Sequence, residues 1–192
     1  MSGINSRKDI LNGGDGNDTL IGGTGDILIG GIGNDTYQFN VGSGTVTIDD
    51  QAIIEEGNKI VFGAGITPDD LHLKIEDDTL IIQVGSSSDS IRLSNFNPND
   101  VYGTHAVETL EFADGQVLTY TQLIDKGLNF TGTEADYILS GTDAPDHITT
   151  LGGDDVITGG AGNDTLEGGS GNDTYKFNLG DGIDTINDIA SE

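Results

Sequence analysis

The chain alternates apolar and polar positions in two ways. From Gly13 the cycle is nine residues long: "GGDGNDTLI" (13–21), "GGTGDILI" (22–29) and "GGIGNDTYQ" (30–38). It returns as "GTDAPDHIT" (141–149), "TLGGDDVIT" (150–158), "GGAGNDTLE" (159–167) and "GGSGNDTYK" (168–176). The eighth place holds a large apolar residue, the sixth an Asp, and glycine gathers at the first, second and fourth. Residues 22–29 are one residue short, and 132–140, "GTEADYILS", is a weak copy with Asp136 displaced from the sixth place. Between the two blocks, residues 51–130 carry only 7 glycines and read as short alternating strands.

The nonamer predicts a definite unit. Glycine permits positive φ and close backbone approach, so six residues turn sharply. The last three, such as "TLI", favour a strand whose middle residue points inward. Two units make one coil of a flattened helix, so unit n stacks on unit n+2 at the ordinary strand spacing of about 4.8 Å. Asp18 then faces Asp35, Asp146 faces Asp164, and Asp155 faces Asp173.

The middle segment predicts strands at "NKIVF", "LHLKI", "TLIIQV", "SIRLSNF" and "VETLEF", with turns at "EDD", "GSSSD" and "ADGQ". Thr121 is the predicted cap of a short closing helix, "QLIDKG". The expectation is an all-β chain: parallel β-roll blocks at 1–50 and 131–192, around a β-rich domain at 51–130 whose strands extend the flanking sheets. The result would be one elongated rod.

Charge changes the picture. Lys and Arg number 7 against 33 Asp and Glu, a net charge of −26, and only 34% of residues are hydrophobic. Such a chain repels nucleic acid and anionic membranes, and there are no cysteines for disulfides or thiolate metal sites. No apolar run is long enough to span a bilayer. Two carboxylates roughly 5 Å apart repel by about 3 kcal/mol at an effective dielectric near 20. Each inward side chain returns only about 1.5–3 kcal/mol before entropy is counted. The stack therefore calls for cations, and hard oxygen ligands in turns suit Ca²⁺.

The four "GGxGND" copies resemble the RTX, or haemolysin-type, calcium-binding nonapeptide family, which folds as a parallel β-roll. The resemblance implies ligand sets of turn carbonyls and aspartates drawn from turns two units apart. Carried over, one set is Gly14, Gly16, Asp18, Gly30, Ile32 and Asp35. A second is Leu151, Gly153, Asp155, Gly168, Ser170 and Asp173. A third is Thr142, Ala144, Asp146, Gly159, Ala161 and Asp164. Gly160, Gly162, Leu179 and Asp181 join Asp164 and Asp184 as further candidates, and Asp9 and Asp26 complete the list. The segment "LKIEDDTLIIQV…IRLSNF…LEFADGQVLTYTQL" resembles the haemolysin-type calcium-binding related domain. The resemblance further implies export through a type I channel, a secreted or cell-surface location, and folding driven by several calcium ions.

A longer repeat aligns "DTYQFNVGSGTVTIDDQA" (35–52) with "DTYKFNLGDGIDTINDIA" (173–190), an offset of 138 residues. Tyr37 with Phe39, and Tyr175 with Phe177, are expected to plug the rolls. Val46 stands where the second copy has Asp184, so Asp26 lacks a carboxylate opposite it and fewer ions are expected in the first block. Position 190 corresponds to 52, and Ser2-Gly3 echoes Ser140-Gly141, as in an excerpt of a longer tandem array.

Nothing here reads as catalytic. His72, His105 and His147 lack ligand spacing, Glu108 and Glu111 point to opposite strand faces, and no G-x-S-x-G or H-E-x-x-H motif occurs. The alternative function is adhesion or glycan binding by the middle segment, which Tyr102, Tyr120 and His105 exposed in an open groove would favour.

Overall fold

A computed structural model describes residues 2–3, 8–51, 56–86 and 88–188. Two compact units emerge: one from the chain up to residue 97 together with 102–123, the other from 98–101 and from 124 onward. The matched positions 52 and 190 of the long repeat lie outside the described residues.

The first unit contains β1 (Ser2–Gly3), β2 (Ile10–Asp15), β3 (Thr19–Gly22), β4 (Ile27–Ile32), β5 (Thr36–Phe39), β6 (Thr45–Ile48) and β7 (Lys59–Phe62). They are followed by β8 (Leu71–Glu76), β9 (Thr79–Val84), β10 (Ser90–Leu93), β11 (Thr109–Glu111) and β12 (Val117–Thr119). A five-residue helix, α1 (Tyr120–Ile124), comes next. One sheet runs β1-β3-β5-β7-β11-β12 and the other includes β8-β9-β10-β6-β4-β2. The roll strands pair in parallel, while β8-β9-β10 and β11-β12 are antiparallel meanders.

Alternate strands belong to opposite sheets, so each coil sends one residue inward from either side. Leu20, Tyr37, Ile60 and Leu110 are in register along one sheet, and each is at most 1% exposed. Leu11, Leu28, Ile48 and Leu93 form the facing column, all buried. Each inward residue of these columns contributes about 1.5–3 kcal/mol, and Leu71, Leu73, Leu80, Ile82 and Ile91 of the middle segment add to the same unit's core, each at most 2% exposed.

The middle segment does extend the first roll. Its β7 adds to β5, β11 to β7, and β10 to β6, all in parallel. Tyr37 and Phe39 are consequently interior residues and not a plug. Phe62 meets Phe39 edge-on with centroids 6.1 Å apart and stacks on Phe112 at 5.0 Å. The helix also starts differently from expectation. Thr119, not Thr121, caps it: Thr119 Oγ1 accepts the Gln122 N–H at 3.2 Å, and Gln122 Oε1 accepts the Thr119 N–H at 2.9 Å. This reciprocal pair satisfies two amides that the first turn leaves open.

The second unit contains β13 (Leu128–Thr131), β14 (Ile138–Ser140), β15 (Asp146–Thr149), β16 (Val156–Thr158), β17 (Thr165–Glu167), β18 (Thr174–Lys176) and β19 (Thr185–Ile186). Strands β13-β15-β17-β19 form one parallel sheet and β14-β16-β18 the other. Leu139, Ile148, Ile157 and Leu166 make the core, with Phe130 and Tyr175 packed against it. Phe177 stays 50% exposed, unlike its buried counterpart Phe39.

Candidate metal centre

Every expected aspartate pair is brought together, and by the same device. The main-chain N–H of the sixth-place residue donates to the carboxylate of the residue two units later. Asp18 donates to Asp35 Oδ1 at 2.8 Å, Asp155 to Asp173 at 2.9 Å, and Asp146 to Asp164 at 2.9 Å. Asp9 donates to Asp26 at 2.9 Å, Asp164 to Asp184 at 3.0 Å, and the Tyr137 N–H to Asp155 at 2.7 Å.

One oxygen per carboxylate is thus accounted for, and the other is informative. Oδ2 of Asp35, Asp155, Asp164 and Asp173 is buried without a hydrogen-bond partner. Asp35, Asp155 and Asp164 are themselves at most 1% exposed. An unpartnered buried carboxylate oxygen is costly unless a cation faces it or a proton neutralises it. Burial lifts Asp146 to about 7 and Asp164 to about 6, with the charges of Asp164 and Asp184 respectively adding to the rise. Asp35 is raised as well, first by burial and then by the charges of Asp50, Asp18 and Glu56.

Glycine does two different jobs in the turn. At the second and fourth places it supplies the left-handed backbone, as at Gly14 (φ 97°) and Gly16 (φ 113°). First-place glycines have no such φ. A Cβ on Gly30, Gly159 or Gly168 would instead overlap Oδ2 of the Asp in the same unit. The first place is a space requirement beside the orphan oxygen, distinct from the positive φ of the second and fourth places. Leu151 occupies a second place and is forced to φ 76°.

The expected carbonyl ligands line the junctions between turns. Ile32 O accepts the Gly16 N–H at 2.7 Å, and Ser170 O accepts the Gly153 N–H at 2.9 Å. Thr142 O takes Ala161 N–H at 3.1 Å, and Leu151 O takes Ser170 N–H at 3.0 Å. A carbonyl has two lone pairs, so each retains one. The main chains of Gly162 and Gly182 bridge as well. Leu179 is fully exposed, and Asp181 Oδ2 takes the Asn178 N–H at 2.5 Å. Among the described residues no three His, Asp or Glu side chains gather closely enough to hold an ion by themselves. Carboxylate pairs completed by carbonyls match the oxygen-rich, high-coordination preference of Ca²⁺.

Asp26 behaves differently. It faces Val46, because Ile27 is in register with Thr47. Asp9 N–H and Gly23 N–H fill its two oxygens, leaving no orphan like that of Asp164.

A second ladder was not anticipated. The fifth-place side chain accepts the N–H of the fifth-place residue two units later: Asn17 from Asn34 at 2.9 Å, and Asn34 from Gly57 at 2.7 Å. In the other unit Asp136 serves Asp154, and Asp154 serves Asn172, both at 2.9 Å. Asp136, set aside as out of register, is in register at the fifth place. The recurring "GND" was the available signal.

Tyr102, Tyr120 and His105 do not form an exposed aromatic groove, the feature that would favour glycan binding. Tyr120 is 4% exposed and lies flat on His105, with ring centroids 3.9 Å apart. Tyr102 is 37% exposed.

Comparison with known families places these features. Residues 5–37, 26–46 and 140–175 match the RTX calcium-binding nonapeptide repeat in four copies. Residues 80–122 match the haemolysin-type calcium binding protein related domain. No curated protein matches the chain.

Proposed function

We propose, from the matches to the RTX calcium-binding nonapeptide repeat and to the haemolysin-type calcium binding protein related domain, that the chain binds calcium and that calcium drives its folding as a scaffold module of a secreted protein. RTX-repeat proteins are typically secreted. The observation that carries the reading is the set of buried Oδ2 atoms without partners at Asp35, Asp155, Asp164 and Asp173. In this reading the aspartates and turn carbonyls of the three expected sets hold the ions. Bound calcium supplies positive charge between carboxylates that otherwise repel.

The chain's own contribution is geometric. Glycines turn the backbone, first-place glycines leave room beside Oδ2, and the ladder N–H groups aim each Oδ1. With a net charge of −26 and a thin apolar core, the metal-free chain lacks the means to offset its conformational entropy. A chain kept unfolded at low cytosolic calcium and folded outside suits passage through a type I secretion channel. Fewer ions are proposed in the first roll than in the second, on the satisfied carboxylate of Asp26.

A calcium titration followed by far-ultraviolet circular dichroism tests this. The β signal should appear cooperatively at about 10⁻⁴–10⁻³ M calcium, the range of extracellular modules. Full β structure in excess chelator, unchanged on adding calcium, refutes it.

A further inference from the structure

The sixth-place ladder does not stop with the nonapeptides. Asp35 N–H donates to Asn58 Oδ1 at 2.7 Å, so Asn58 takes the place of the next Asp. Glu108 N–H in turn donates to the Asn58 carbonyl at 2.9 Å. An amide at this place removes the carboxylate that a cation between the two turns would need. Two residues earlier, the register of β5 with β7 sets Glu56 opposite Gly33, where the repeats have glycine. Glu56 Oε1 accepts the Gly33 N–H at 2.8 Å. Its Oε2 is buried with no partner, and so are Asp35 Oδ2 and Glu108 Oε2.

Among the described residues, no cation pairs with these three oxygens from three separate segments. Lys59 is engaged by Glu111 at 3.0 Å, and the other ion pairs among the described residues lie at Glu76. Neighbouring Asp50 is fully satisfied by donors from Gly31, Gln51, Tyr37 and Asn58. In this neighbourhood the buried carboxylate oxygens without partners are those of Asp35, Glu56 and Glu108. The charge of Glu56 also acts on both Asp35 and Glu108.

We propose that a divalent cation, calcium in the secreted setting, binds at the junction of the nonapeptide roll and the strand Lys59–Phe62, between Asp35 Oδ2 and Glu56 Oε2. Main-chain carbonyls of the 30–33 turn complete its shell, and Glu108 supplies further negative charge. Asp35 is fully buried with its Oδ2 unpartnered, so the site does not rest on a surface cluster of acids. It carries the ion column one tier past the repeats and ties the roll to the segment that extends it. The proposal rests on the calcium reading above but fails separately from it.

Equilibrium dialysis with calcium alone counts ions bound per chain. Glu56→Gln should bind one ion fewer than the wild type, with an unchanged circular dichroism spectrum at saturating calcium. An unchanged count in Glu56→Gln overturns this site while leaving the general reading intact; a wild type that binds no calcium overturns both. A crystal structure of the wild type grown in calcium provides the second measurement, independent of whether the variant folds. An ion within about 2.3–2.6 Å of Asp35 Oδ2 and Glu56 Oε2 supports the site. A direct hydrogen bond between those two carboxyl groups, with no ion, overturns it.

Discussion

Replacing Asp164 by Asn should move stability in opposite directions with and without calcium. Asp164 is the middle of a column, accepting from Asp146 at 2.9 Å and donating to Asp184 at 3.0 Å. At a strand spacing of about 4.8 Å and an effective dielectric near 20, each ionised neighbouring pair costs about 3 kcal/mol. The variant removes two such pairs. Asn keeps an acceptor for the Asp146 N–H, but its new NH₂ replaces the buried Oδ2 and costs about 1–3 kcal/mol if it finds no partner. The metal-free second unit should therefore gain about 3–5 kcal/mol at pH 8, where Asp146 and Asp164, lifted to about 7 and about 6, are both ionised. In millimolar calcium the sign reverses, because a charged ligand is lost. A tenfold weaker calcium midpoint corresponds to about 1.4 kcal/mol. Circular dichroism decides it, read as residual β signal in chelator and as the melting temperature in calcium. A variant with no more β signal than the wild type in chelator refutes the argument that like charges oppose the empty stack.

Other expectations follow from single residues. Leu151→Gly relieves a left-handed backbone that costs a side-chain-bearing residue roughly 1–2 kcal/mol, so the melting temperature should rise while calcium stoichiometry holds. Asn17→Ala leaves the Asn34 N–H without its acceptor and should cost about 1 kcal/mol, again with no ion lost by dialysis. Acid should partly replace the metal. The carboxyls of Asp146 and Asp164 titrate above their unfolded values, so the folded, calcium-free state loses stability as pH climbs from about 4 through 7. In chelator, the β signal at pH 5 should exceed that at pH 8; equal signals refute the assignment. With calcium present, protons compete for the same oxygens, and the apparent affinity should fall below pH 7.

The nine-residue period made the coil, its inward residues and the pairs Asp18–Asp35, Asp146–Asp164 and Asp155–Asp173 readable in advance, because each depends on spacing alone. The pairing of Asp164 with Asp184, and the bare position opposite Asp26, came from the longer repeat. What escaped was whatever breaks periodicity or depends on atoms. Glu56 and Glu108 lie in a segment without a period, and only strand register sets them over Asp35. The space beside the orphan oxygen at Gly30 is a side-chain contact that glycine's presence cannot distinguish from a turn requirement. Tyr37 and Phe39 suggested a plug because the aromatic pair ends the nonapeptides, but the next strand continues the sheet over them. Thr119 caps the helix instead of Thr121 because the helix begins at Tyr120, two residues before the expected "QLIDKG".

The two side-chain ladders run against each other. A fifth-place side chain serves the turn that follows, whereas a sixth-place carboxylate serves the turn before. Damage along either ladder is therefore felt next door: losing Asn17 bares an amide on Asn34, and losing Asp35 bares one on Asp18. Amide exchange would point to the culprit by the side on which protection disappears.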